Sequence, residues 1–179
     1  MKISLPPWPA TPPSHGSVIL RQYRDDDAHL VQEMGEDEYI AQMGALPPHP
    51  TTEQALAYIN AYRQWAADGV GFGFAIADKT TDRALGEIVL RLDLGIGIAT
   101  TGYSVSPLHR RKGVATQALR ALVAYAWTIP VLYRIELETE PSNHASIRVA
   151  ESAGFRLHGT GHREIGGATR AVVRYVLNR

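Results

Sequence analysis

The chain has 179 residues, enough for one domain with a sizeable core and with no need of a second. Its 18 Lys and Arg balance its 18 Asp and Glu, so the basic excess of a nucleic-acid-binding domain is missing, and the lack of cysteine excludes disulfides, thiolate metal sites and a cysteine nucleophile. No apolar run approaches the roughly 18 residues of a membrane span, and MKISLPPWPATPPSHG at the start holds no signal-peptide core. A cytoplasmic protein that engages neither membrane nor nucleic acid is the expectation.

Two Pro-Pro pairs within residues 1–16 predict an extended or partly disordered arm, followed by a domain over 17–179. Val18–Arg24 alternates apolar and polar side chains before Asp25–Asp27, which reads as a strand feeding a helix with an acidic first turn. After the break at Leu46–Pro50, Thr51 and Gln54 form a capping box. Ala55, Tyr58, Ile59, Tyr62, Trp65 and Ala66 follow at helical spacing up to Gly69. Gly71–Lys79 and Ala84–Leu94 flank a turn and read as a hairpin, and Ile98–Ser106 supplies a further strand closed by Pro107.

The helix after Gly113 carries Val114, Ala118, Leu119, Leu122, Val123 and Ala126 as its apolar stripe and stops near Pro130. VLYRIELET (131–139) alternates as a strand. Asn143–Ala153 reads as a helix with Ser142 or Asn143 as N-cap and Gly154 just past its end. Phe155–His162 and Thr169–Leu177 complete the set. The order is an α+β plan around one central mixed sheet.

One stretch points to a ligand. SVSPLHRRKGVAT (104–116) places Arg110, Arg111, Lys112 and Gly113 between a strand and a long helix. A glycine at such a junction lets backbone N–H groups approach an anion, and the first helical turn adds unpaired donors and its dipole. The basic side chains would add charge-assisted bonds and Thr116 a hydroxyl; a plain solvated turn is the other reading. Neither a Walker pattern nor a Gly-x-Gly-x-x-Gly fingerprint is present, so nucleoside triphosphatase and Rossmann readings drop.

Arg110–Ala115, RRKGVA, resembles the Gln/Arg-x-x-Gly-x-Gly/Ala signature of the GNAT superfamily of acyl-CoA-dependent N-acyltransferases. NHASIRVAESAGF (143–155) is similar to a segment of that superfamily's RimJ/RimL branch, whose members acetylate protein N-terminal amines, as are LGEIVL (85–90) and TGYSVSP (101–107) to two of its strands. The resemblance covers Val18 to the C-terminus. It implies a mostly antiparallel sheet whose fourth and fifth strands splay apart, flanked by helices. It also implies acetyl-CoA as co-substrate, with no metal, and an amine acceptor, either a peptide N-terminus or a small amine.

Carried onto this chain, the cofactor-binding set is Tyr103, Ser104 and Val105 for the pantetheine arm, Arg110, Arg111, Lys112, Gly113, Val114, Ala115 and Thr116 for the pyrophosphate, and Asn143, which is equally an N-cap. Tyr103 and Val105 side chains read as core, with only their backbone on the ligand. Many relatives carry a tyrosine acid seven residues after the asparagine; here that residue is Ala150, and Ser146 becomes the catalytic candidate for protonating the leaving thiolate, against the alternative of a packing hydroxyl. Thr100 stands where relatives often carry an acid, which leaves Glu87 as the candidate base. A strand carboxylate that merely faces solvent is the other reading.

An α-amine has a reference pKa of about 7.7–8.0, so a water chain is an alternative to a strong base. Seven carboxylates within Asp25–Glu38, with no Lys or Arg among them, read either as a solvated helix face or as a wall drawing cationic amines. His109 and His144 lack a carboxylate partner and make a poor metal site. A small-molecule amine acetyltransferase and a non-catalytic acyl-CoA sensor remain the alternative functions. Acceptor, acyl length and oligomeric state stay open, with a homodimer as one option.

Overall fold

A computed structural model describes residues 4–43 and 46–179. Eight strands among them form one sheet: β1 (Ser14–His15), β2 (Val18–Arg21), β3 (Gly71–Asp78), β4 (Ala84–Asp93), β5 (Ile98–Val105), β6 (Arg134–Thr139), β7 (Arg156–Ile165) and β8 (Ala168–Asn178). Their spatial order is β1-β2-β3-β4-β5-β6-β8-β7, and β5 with β6 is the one parallel pair. The helices are α1 (Ala28–Gly35), α2 (Glu38–Met43), α3 (Thr52–Gln64), α4 (Val114–Ala126) and α5 (His144–Ser152). This is the mixed α+β sheet that the sequence predicts, and no described helix is long and apolar enough to cross a membrane.

Side-chain alternation along β4 divides the core. Ile88 and Leu90 face the α4 side, packing in one cluster with Leu119 and Leu122. The opposite face at that end is covered by α1 and α3, where Leu30, Val31 and Ile59 meet Ala75 and Ala84. Residues 4–13 run without regular structure along the domain. There Trp8 sets its ring edge-on against Phe72 and Phe74, at 5.1 and 5.0 Å between centroids.

The acidic triplet departs from expectation. Instead of opening α1 it forms a 3-10 turn, Asp25–Asp27, and the strand before it stops at Arg21. The Arg21 guanidinium grips Asp27 with bonds of 2.7 and 2.9 Å, and the Arg24 backbone N–H donates to the same carboxylate at 2.8 Å. Asp27 is 2% exposed, so the pair is held where water screens it poorly. Strand β1 and helix α2 went unpredicted, since two residues and six residues carry too little periodicity to read. Elsewhere the elements lie within a few residues of expectation. Thr51 and Gln54 make the expected reciprocal cap, at 3.2 and 2.9 Å, and Gly166 and Gly167, both with positive φ, turn the β7–β8 hairpin.

Candidate active site

Strands β5 and β6 stay in register only from Ile98 opposite Arg134 to Thr101 opposite Leu137. Beyond that point they part, and Gly102–Val105 borders a cleft of about 1540 Å³. A strand edge without a neighbour leaves backbone N–H and C=O groups free for a ligand. The splay expected between these strands is therefore present, with Tyr103, Ser104 and Val105 on the cleft wall.

The chain then makes a 3-10 turn at Pro107–His109 and reaches α4 through Arg110–Gly113. Arg111 and Gly113 both take left-handed backbone, at φ 62° and 74°, and Gly113 is the N-cap of α4. Arg111, Gly113, Val114, Ala115 and Thr116 line the cleft. Two of the basic residues already have partners within the chain, although Arg110 also lines the cleft. Arg110 donates from Nε to the Val105 carbonyl at 3.0 Å and pairs with Asp37 at 2.7 Å. Lys112 is outside the cleft lining and turns its Nζ back to the Leu108 carbonyl, 3.3 Å away. Arg111 has no ion-pair partner among the described residues.

Asn143 caps α5, its Oδ1 accepting from the Ser146 N–H at 3.0 Å, while its Nδ2 donates to the Tyr39 hydroxyl at 3.1 Å. Ser146 lies in the first turn of α5, on the cleft. Its hydroxyl is 2.9 Å from that of Tyr103, a side chain read from sequence as core. Burial pushes the Tyr103 phenol up to about 12, although the Ser146 contact pulls it down. Ala150 is fully buried and offers no acid.

Glu87 sits on β4 opposite Ser104 and is 9% exposed. It does not face solvent as a surface carboxylate would. Its Oε2 accepts from Tyr23 at 2.8 Å and from Tyr58 at 2.8 Å. Burial raises its pKa, and the bonds from Tyr58 and Tyr23 offset that only in part. Tyr58, Tyr62 and Trp65 of the α3 region share the cleft wall with it, and their role went unread because they fit an apolar helical stripe equally well. The signal was present: a half-buried tyrosine hydroxyl requires a partner.

Of the seven carboxylates within 25–38, four pair with arginines, through Asp25–Arg63, Asp27–Arg21, Glu33–Arg83 and Asp37–Arg110. None lines the cleft, so this run forms no acceptor wall; Asp25, Asp26, Glu36 and Glu38 are exposed, as a solvated face requires. No group of three or more His, Asp or Glu among the described residues is placed to hold a metal ion.

Residues 17–156 match the family model of the acetyltransferase (GNAT) domain. An uncharacterised N-acetyltransferase of Bacillus licheniformis, p20, is 29% identical over 143 residues, which cover 79% of this chain and 80% of that protein. Among solved structures, Mycobacterium smegmatis RimJ in complex with CoA-disulfide superposes with a TM-score of 0.80 at 23% identity, over 93% of this chain and 88% of that one. The ribosomal-protein-S5-alanine acetyltransferase of Vibrio fischeri gives 0.74 at 19% identity, over 91% and 93%. At these identities the two structures share the fold.

Proposed function

The chain belongs to the GNAT acetyltransferase family, and from that premise we propose that it transfers the acetyl group of acetyl-CoA to a primary amine, the α-amine of a protein or peptide N-terminus. We take residues 17–179 as its transferase domain and 1–16 as an N-terminal arm, of which residues 4–13 run along the domain and Ser14–His15 joins the sheet. The observation that carries the reading is the opening of β5 from β6 directly beside the left-handed Gly113 at the head of α4.

The residues fit the co-substrate. The bare edge Gly102–Val105 suits the amide-bearing pantetheine arm, and Gly113, Arg111 and the free N–H groups of α4 suit the pyrophosphate. Asn143 lines the cleft from the α5 side, where it would border that arm. When bound, the thioester supplies an activated acyl carbon; all further work falls to the chain.

Backbone N–H groups on the open edge of β5 polarise the acyl oxygen. Glu87 takes the proton of the incoming amine from the α3 side of the sheet, burial making it a stronger base than an exposed carboxylate. Ser146 gives a proton to the departing sulfur or orders the water that does, with the Tyr103 hydroxyl beside it. The cleft's positions on two sides of the sheet keep base and acid apart.

Thiol release from acetyl-CoA against a panel of N-terminally free peptides and small amines tests the reading. Turnover on free α-amines of peptides is the expected outcome. CoA binding without release on any acceptor would make the protein a sensor, and release on small amines alone would move the acceptor.

A further inference from the structure

We propose that Arg91, held against the Trp65 ring on the β4 side of the cleft, is an anion site for the acceptor and selects peptides that carry an acidic side chain at their third or fourth residue. The proposal deepens the function just stated and rests on it.

Six arginines and four glutamates line the cleft, with no lysine or aspartate among the described lining residues, so its wall carries an excess of positive charge. Five of the arginines are accounted for. Arg163 and Arg174 hold Glu138 at 2.7 and 2.8 Å, and Arg110 holds Asp37 at 2.7 Å. Arg111 and Arg148 stand on the α4 and α5 banks, along the path given to the co-substrate. Arg91 alone lies on β4, away from that path, and has no carboxylate within ion-pair distance among the described residues. Its neighbours explain why. Directly across on β5 stands Thr100, a hydroxyl, and Glu136 one strand further is shared between Arg174 and Arg134 at 3.6 and 3.7 Å. Asp93, also on β4, turns its Oδ1 to the N–H groups of Gly95 and Ile96 at 3.1 and 3.3 Å.

The guanidinium is also positioned. It rests 4.8 Å from the Trp65 centroid, and a ring against it takes up none of its N–H donors, which stay available to an anion. Trp65 ends a row with Tyr58 and Tyr62, whose successive ring centroids lie 4.8 and 4.6 Å apart. That row joins Arg91 to Glu87. Burial raises the Tyr62 phenol and Glu87 raises it further, while the Tyr58 hydrogen bond and the Arg91 charge act the other way. Glu87 and Arg91 both line the cleft from β4, four residues and about 13 Å apart by strand rise. An extended peptide advances about 3.4 Å per residue, so an amine beside Glu87 puts its fourth residue about 10 Å along, within reach of the long Arg91 side chain. A free amino acid, whose carboxylate lies two bonds from its amine, stays at the Glu87 end.

The test is calorimetric titration of three amidated hexapeptides, AAEEAA, AAQQAA and AAKKAA, into the protein–CoA complex. Successive side chains of an extended chain face opposite ways, so acids at both the third and fourth residues present one of them to Arg91. AAEEAA should bind about three- to tenfold tighter than AAQQAA, with the gap shrinking as salt rises from about 0.02 to about 0.5 M. Arg91→Gln should close the gap and Arg91→Glu should reverse it in favour of AAKKAA, each with CoA affinity unchanged. Equal binding of AAEEAA and AAQQAA, binding of neither, or a gap that survives high salt or Arg91→Gln overturns the site. The salt series uses only the wild-type protein and decides the matter if the variants do not fold. Thiol release from acetyl-CoA scores the transferase reading separately: release without charge preference sinks the anion site alone, and charge preference in binding without release on any amine sinks the transferase alone.

Discussion

The hydroxyl of Tyr103 on β5 meets that of Ser146 on α5 at 2.9 Å, and it also lies 3.3 Å from the Ser146 carbonyl oxygen. The contact bridges the strand that borders the cleft and the helix whose N-terminus closes it, with the Asn143 cap fixing the turn that carries Ser146. Two hydroxyls thus stand together on the cleft wall, and the proposed reaction calls on them for the proton of the departing sulfur. Ser146→Ala should lower kcat by about 10²–10⁴ while CoA affinity stays nearly unchanged. Tyr103→Phe, which removes one hydrogen bond to the donor, should cost about five- to tenfold in kcat. If Ser146 only packs, alanine is the better helix former, stability rises slightly and kcat is intact. Steady-state kinetics together with CoA titration separate these outcomes.

Gly113→Val should leave the protein folded and abolish CoA binding. The residue sits at φ 74°, where a side chain costs about 1–2 kcal/mol, and a branched one would also fill the approach of phosphate to backbone. Thermal melting reads the first effect and calorimetry the second. Normal CoA affinity in the variant would remove the phosphate assignment from this turn.

CoA at about 100 times its dissociation constant should stabilise the protein by about 2.7 kcal/mol, and pantetheine at the same concentration by much less. Arg111→Ala should weaken CoA more than Arg110→Ala, because Arg110 is already committed to Asp37 and to the Val105 carbonyl. The reverse order would mean that Arg110 leaves those partners when CoA binds.

Glu87 gives a pH signature with a definite sign. Burial raises its carboxyl above the ordinary 4.5, so the protonated form is the one the fold favours. Stability from this group is fully present below 4.5 and is lost as pH rises through the higher folded value. Glu87→Gln lacks that loss. Denaturant midpoints of both proteins from about pH 4 to 8 should show the variant gaining on the wild type as pH increases. A gap that shrinks with pH would contradict the burial argument.

Trp8→Ala should cost about 2–4 kcal/mol, measured by urea unfolding, because the ring fills a corner against Phe72 and Phe74. An unchanged midpoint would make the arm an appendage.

Seven of the eight strands, four of the five described helices and the loop before α4 were legible because each rests on local information. Alternation marks a strand, a 3.6-residue stripe marks a helix, Thr51–Gln54 marks a start and Gly113 marks a left-handed junction. The same residues carried the family resemblance, so the chemistry followed the fold onto the page. Short elements such as α2 carry fewer than two turns and leave no period to read. Which arginine would meet which carboxylate was also closed to the sequence: a run of acids reads as a charged face until Arg21, Arg63, Arg83 and Arg110 arrive from other elements.

By itself, then, the sequence determined most of the order of elements, the glycine at the head of α4 and the family, and it offered candidates for the site. Tertiary structure alone decided their pairing. Tyr23 reaches Glu87 across 64 positions and Tyr103 reaches Ser146 across 43, and the first contact turns a strand carboxylate into a buried acceptor while the second turns a core tyrosine into a cleft hydroxyl. Periodicity specifies the face on which a side chain lies, whereas pKa, charge balance and proton path depend on what is packed against that face, and only the closed sheet brings those groups within hydrogen-bond distance.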